Sequence, residues 1–194
     1  MKGKFLIIWL VVSLVVACSN SHKEQKQILD ESEENPLSKT GWEIGQNRDE
    51  WGDEEEGKNA IGGFMGTFSN SATDNGSVAV VMFVKTIHVG ESLDTIVGFS
   101  LGEYDGRNTV KDMDFKGKAR NSNGEIQEFT YYIGNNGVGM LLSDMNAEIF
   151  QFLYKGGNID VILEEDTKYG VPSKYKFTIP SYLSIPDALE QINK

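Results

Sequence analysis

Ser77-Val78-Ala79-Val80-Val81-Met82-Phe83-Val84-Lys85-Thr86-Ile87-His88 decides the fold. Strand side chains alternate between two faces, so Val78, Val80, Met82 and Val84 share one side, while Val81, Phe83 and Ile87 share the other. The apolar content of both faces predicts a strand covered from both sides, at the centre of the core. Its β-branched and aromatic residues suit a sheet rather than a helix.

Outward from this strand the alternation recurs. Trp42, Ile44 and Gln46 predict a first strand from Gly41. Phe64, Gly66 and Phe68 predict a second over 58–70, loosened by Gly62 and Gly63, with the turn SATDNGS after it. Leu93–Leu101 predicts a fourth, closed by the turn GEYDGRN. Val110–Lys116 is a weak strand and Glu125–Ile133 a clear one, with Phe129, Tyr131 and Ile133 inward; Asn121–Gly124 is the turn before it. Val138–Leu142 makes a short strand. Ile159, Val161 and Leu163, then Tyr175, Phe177 and Ile179, mark the last two.

Between them the period changes. Met145, Ile149, Phe152 and Leu153 lie on one helical face, with Ser143 or Asp144 to cap the start and Gly156 and Gly157 to end it in the left-handed region. Near the C-terminus, Ser184, Pro186 and the stripe Ile185, Ala188, Leu189 and Ile192 predict a short capped helix. The expected fold is mainly β: a sandwich or partly closed barrel of about eight or nine antiparallel strands. The late helix and the short C-terminal helix would plug an open end or cover a sheet edge.

The N-terminus has a different character. Lys2 and Lys4 precede an apolar run, Phe5–Ala17, interrupted only by Ser13. As a helix that run is roughly 20 Å long, short of the ~30 Å bilayer core. Cationic start, short apolar run and small residue at the end form an export-signal layout. Val15-Val16-Ala17-Cys18 resembles the lipobox of bacterial lipoproteins. The resemblance implies a diacylglycerol thioether on the Cys18 sulfur, cleavage between Ala17 and Cys18, and further acylation of the new amino group with fatty chains such as palmitate. Cys18 is the sole cysteine of the chain, so no internal disulfide is available, and acylation accounts for an odd cysteine outside the cytoplasm. Several acyl chains on one residue give stable anchoring where one is marginal.

The resulting organisation is a signal peptide over 1–17, a lipidated Cys18 with a polar tether over 18–40, and one β-rich domain over 41–194. The tether has too few apolar residues to offset the entropy of ordering, and its coil reach is roughly 25 Å. The expected location is extracytoplasmic, on the cell membrane or outer membrane; Ser19 favours the outer one where two membranes exist. Formal charge is −11, and loss of Lys2 and Lys4 takes it to −13. Such a chain repels nucleic acid and favours a basic protein partner.

Chemistry-bearing motifs are sparse. Gly98-Phe99-Ser100-Leu101-Gly102 matches G-x-S-x-G, but a turn follows and no histidine lies beyond His88, so it reads as a strand end. His22 and His88 are far apart and do not make a zinc set. The acidic loop Asp49–Glu56 lacks the spacing of a helical calcium loop and reads as a solvated hairpin tip, with calcium as the other possibility. Trp51, Asp53 and Glu55 are the candidate surface contacts, an exposed aromatic beside carboxylates suited to a glycan or a basic protein. Trp42 reads as core. No catalytic residue, metal site or cofactor is assigned. The expectation is a non-enzymatic binding or assembly domain. The alternatives are an envelope enzyme using carboxylates and an inhibitor or immunity factor for a basic protein.

From Trp42 to Ile192 the order is a Trp-led strand, acidic hairpin, long apolar strand, late helix, two strands and terminal helix. It resembles small periplasmic β-sandwich proteins of the invasion-associated locus B group and of the VasI type. Those groups carry disulfide cysteines that this chain lacks, and no site residue follows from the resemblance.

Overall fold

The computed structural model describes residues 41–48, 53–89, 92–106 and 108–194. Cys18, Ala17, the tether and Trp51 lie outside them.

Ten strands form one antiparallel sheet: β1 (Glu43–Arg48), β2 (Glu54–Ser69), β3 (Gly76–Val89), β4 (Ser92–Gly102), β5 (Asn108–Thr109), β6 (Met113–Arg120), β7 (Ile126–Ile133), β8 (Gly139–Leu142), β9 (Ile159–Glu165) and β10 (Lys174–Ile179). Around the sheet the order runs β2, β10, β9, β6, β7, β8, β4, β3, and β3 pairs back onto β2. The eight strands therefore close a barrel, the more complete form of the expected architecture. β1 is extra: it pairs with the N-terminal half of β2, while β10 pairs with the C-terminal half on the same side.

The interior holds one continuous cluster of buried apolar side chains. Phe177 packs against both Phe99 and Phe64, with centroids 5.7 Å apart for Phe99–Phe177 and 5.8 Å for Phe64–Phe177. Phe68, Phe115 and Tyr175 form a second ring group. Offset and edge-on aromatic pairs add to the burial of each ring. Tyr131 spans the interior from β7 to β4. Its hydroxyl accepts from the Phe99 N–H at 2.8 Å and donates to the Phe99 carbonyl at 3.2 Å. The ring passes over Gly139, where an added Cβ would lie 2.5 Å from a ring carbon. Burial pushes the Tyr131 phenol well above its ordinary value, opposed by the Phe99 bond. Burial also raises Tyr175, and its bond to Glu103 at 2.6 Å adds to the shift.

Two helices close one end. α2 (Ala147–Tyr154) follows β8 and packs on β7, β8 and the last helix, α3 (Ile185–Ile192), which packs on β2 and β3. Ser184 caps α3 by accepting from the Asp187 N–H. The Trp42 indole donates to the Ser184 carbonyl at 2.9 Å, which places Trp42 against the core as expected. Gly156 and Gly157 take positive φ after α2, as the sequence requires.

Four local expectations are corrected. Glu54–Glu56 belong to β2 rather than to a loop, because β2 runs past the barrel rim to pair with β1. The weak strand expected at Val110–Lys116 lies at Met113–Arg120, since β6 continues through Gly117 beneath the Phe129 ring. α2 starts a turn later than Ser143, so Met145 is 79% exposed and not on the buried face. The segment after β4 includes one helical turn, α1 (Glu103–Gly106).

The fifth correction concerns β3. Val78, Val80, Met82 and Val84 are fully buried, but Val81 on the other face is 37% exposed. β3 is one wall of a single barrel, so only its inner face has a core behind it.

Candidate surface site

The outer wall divides into two halves of opposite character. On β6, β7, β9 and β10, cross-strand ion pairs dominate, with Ile126, Tyr132 and Ile162 exposed among them: Lys118–Glu128 at 2.6 Å, Arg120–Asp160 at 2.7 Å and Lys174–Glu164 at 2.6 Å, with Lys116–Asp166 at 2.7 Å near the rim. These bonds lower the Glu128 and Asp160 carboxyl pKa values and raise those of the Lys116 and Lys118 ammoniums. Such pairs keep a sheet face hydrated and soluble.

On β2, β3, β4 and β8 the outward row is apolar. Ile61 is 42% exposed, Met65 45% and Met140 46%, beside Val81 and the half-buried Phe83. Register explains their convergence. Ile61 lies opposite Phe83, Phe83 opposite Gly98, and Gly98 opposite Met140. The Phe83 ring reaches over Gly98, where a Cβ would come within 2.0 Å of the ring. Glycine at 98 thus lets an aromatic ring settle on the wall.

A shallow groove of about 260 Å³ follows this row. Its floor is Ile61, Val81 and Phe83, with Val138 and Ser100 at one end. At the other end are Lys85, Asn59 and Asn47. Asn59 donates to Asn47 Oδ1 at 3.2 Å, while its own Oδ1 is buried with no partner. Lys85 sits opposite Asn59 and Ile96 and forms no ion pair with a described residue.

Of the sequence-derived contacts, Asp53 is exposed just before β2, at the β1–β2 hairpin whose strands carry Asn47 and Asn59 to the groove. Glu55 lies in β2; its side chain and Trp51 are outside what the structure describes. Ser100 of the G-x-S-x-G match faces the groove from β4, and the strand leads into the single turn α1. Among the described residues no group of three or more His, Cys, Asp or Glu side chains could hold a metal ion, and no helix is long and apolar enough to cross a membrane. Sequence reasoning missed the groove. The signal for it is the second apolar face of β3, a pattern that also fits a strand buried on both sides.

A second concavity, about 390 Å³, lies between β7 and the start of α2, lined by Glu128, Asp144 and Glu148. Glu128 is bonded to Lys118, and Gln127 donates to Glu148.

No protein-family model, curated protein or solved structure matches this chain. Its resemblances rest on the residues quoted for them.

Proposed function

We propose that this is a lipid-anchored protein of the bacterial envelope, held by acyl chains on Cys18, whose barrel is a non-enzymatic binding or assembly module. The observation that carries the binding reading is the asymmetry of the outer wall. Ile61, Met65, Val81, Phe83 and Met140 form a continuous apolar row on one half, while the other half is ion-paired. Contiguous exposed apolar surface with a polar border is what protein and ligand contacts use. The packed interior, filled by Tyr131 and the phenylalanines, directs binding to the outside. Net charge of −11 argues against a polyanion such as nucleic acid as partner.

Two measurements test this. Wild type and Cys18→Ser are fractionated, and the mature amino terminus is weighed by mass spectrometry. The wild type should sediment with membranes carrying acylated Cys18, and the variant should not. A soluble wild type, or equal retention of the variant, rejects the anchor. Crosslinking in intact envelopes then compares wild type with Val81→Asp. Adducts that survive the substitution unchanged reject the wall as the contact surface.

A further inference from the structure

We propose that the outer-wall groove binds a linear amphiphile with a single carboxylate, its head group at Lys85 and its apolar tail along Phe83 and Val81. The inference rests on the reading of this wall as a binding surface and names the class of ligand.

Three observations carry it. First, the groove is elongated. Lys85, Phe83 and Val81 are successive outward positions of β3, so Lys85 to Val81 covers about 13 Å along the strand. Ser100, opposite Val81 on β4, and Val138, just before β8, carry that end of the groove sideways across the sheet. A straight chain fits that shape better than a compact ring system does.

Second, the polarity is graded. The middle is apolar, with Ile61, Val81 and Phe83; Lys85, Asn47 and Asn59 gather at one end, and the other end holds a single hydroxyl, Ser100. A ligand that satisfies both must be apolar along its length and polar at one tip.

Third, the sign of the charge is specified. Among the described residues Lys85 is the only charged one lining the groove, and no described carboxylate pairs with it. On the opposite half of the barrel, Lys116, Lys118, Arg120 and Lys174 all have acidic partners. An ammonium beside apolar surface gains from an anion, and one ammonium complements one carboxylate. The net negative charge of the chain does not forbid this, because at physiological salt its distant charges are screened beyond about 8 Å.

The experiment uses the folded protein and three probes with the same alkyl chain: dodecanoate, dodecyl maltoside and dodecyltrimethylammonium, each below its micelle concentration. Binding is followed by calorimetry and by solution NMR of the groove methyl groups. Dodecanoate should bind at one saturable site and perturb Ile61 and Val81. Lys85→Met should weaken it about tenfold, the scale of one charge-assisted hydrogen bond, and Lys85→Arg should restore it. Phe83→Ser should weaken all three probes, and Lys85→Met should weaken dodecanoate alone. Thermal melts confirm that each variant is folded, and the Lys85 pair tests the idea even if Phe83→Ser is not.

Equal binding of the three probes would overturn the proposal, because it would make the groove a non-specific apolar surface. Preference for the trimethylammonium probe would also overturn it, assigning the site to cations. A sedimenting dimer that Val81→Lys splits would assign the groove to a second copy and equally overturn it. None of these outcomes touches the Cys18 fractionation, so the anchor and the groove fail separately.

Discussion

Tyr131→Phe isolates one strut of the barrel. It removes a single oxygen from a side chain that is 3% exposed. That oxygen accepts from the Phe99 N–H at 2.8 Å and donates to the Phe99 carbonyl at 3.2 Å. With Phe in place, both backbone groups lose that partner in a buried site. Deleting one partner of a buried hydrogen bond costs about 1–3 kcal/mol. A loss of about 2 kcal/mol in a domain of this size lowers the melting temperature by about 4–8 °C. In urea the midpoint should fall with the slope unchanged, since the surface exposed on unfolding is the same. Tyr132→Phe is the matched control. Tyr132 sits one residue away on the outward face, exposed, and its hydroxyl donates to Asp112 at 2.6 Å. That variant should melt close to wild type. If Tyr131→Phe is as stable as Tyr132→Phe, the claim that the hydroxyl ties β7 to β4 is wrong.

Three further outcomes follow from the same packing. Above about pH 10 stability should fall, because tyrosines ionise in the unfolded chain while Tyr131 and Tyr175 stay neutral in the folded one; each contributes about 1.4 kcal/mol per pH unit, so pH-dependent urea melts should show a shallower decline in Tyr131→Phe. Gly98→Val should destabilise the barrel by about 1–3 kcal/mol, since its Cβ would meet the Phe83 ring and lie 2.6 Å from the Gly139 carbonyl oxygen. The same variant should shift the NMR resonances of Ile61 and Val81 as Phe83 is pushed off the wall. Ser184→Ala should cost about 1 kcal/mol through loss of the α3 cap, and amide exchange at Asp187 should speed up; unchanged exchange would mean that the cap is idle.

Much of the strand pattern was legible in the sequence because period-two alternation reports which face is buried. Phe129, Tyr131 and Ile133 point inward as their spacing requires, and so do Tyr175, Phe177 and Ile179. Closure was not legible. The pairings that seal the cylinder, β2 with β10 and β6 with β9, join segments far apart in the chain, and alternation carries no information on partners. Charges misled at β2, where Glu54–Glu56 lie in a strand that extends past the barrel rim. The groove was half legible. Val81 and Phe83 are apolar on the second face of β3, and that pattern fits either a buried strand or an exposed contact surface equally well. Only the arrangement of neighbours decides between them. The convergence of Ser100 and Val138 on the groove depends on the β3–β4 and β4–β8 registers.

β2 is the stave on which the cylinder is sealed. It meets β3 through a short turn, but it meets β10 only when Phe68 and Gly66 find Tyr175 and Phe177. Until the last quarter of the chain has emerged, the sheet hangs open with two raw margins, and pairing across such sequence distance is slow. A chain threaded across a membrane unfolded would therefore travel most of its length unsealed. Any truncation before Lys174 would leave a permanently gaping sheet, ready to zip onto a neighbour.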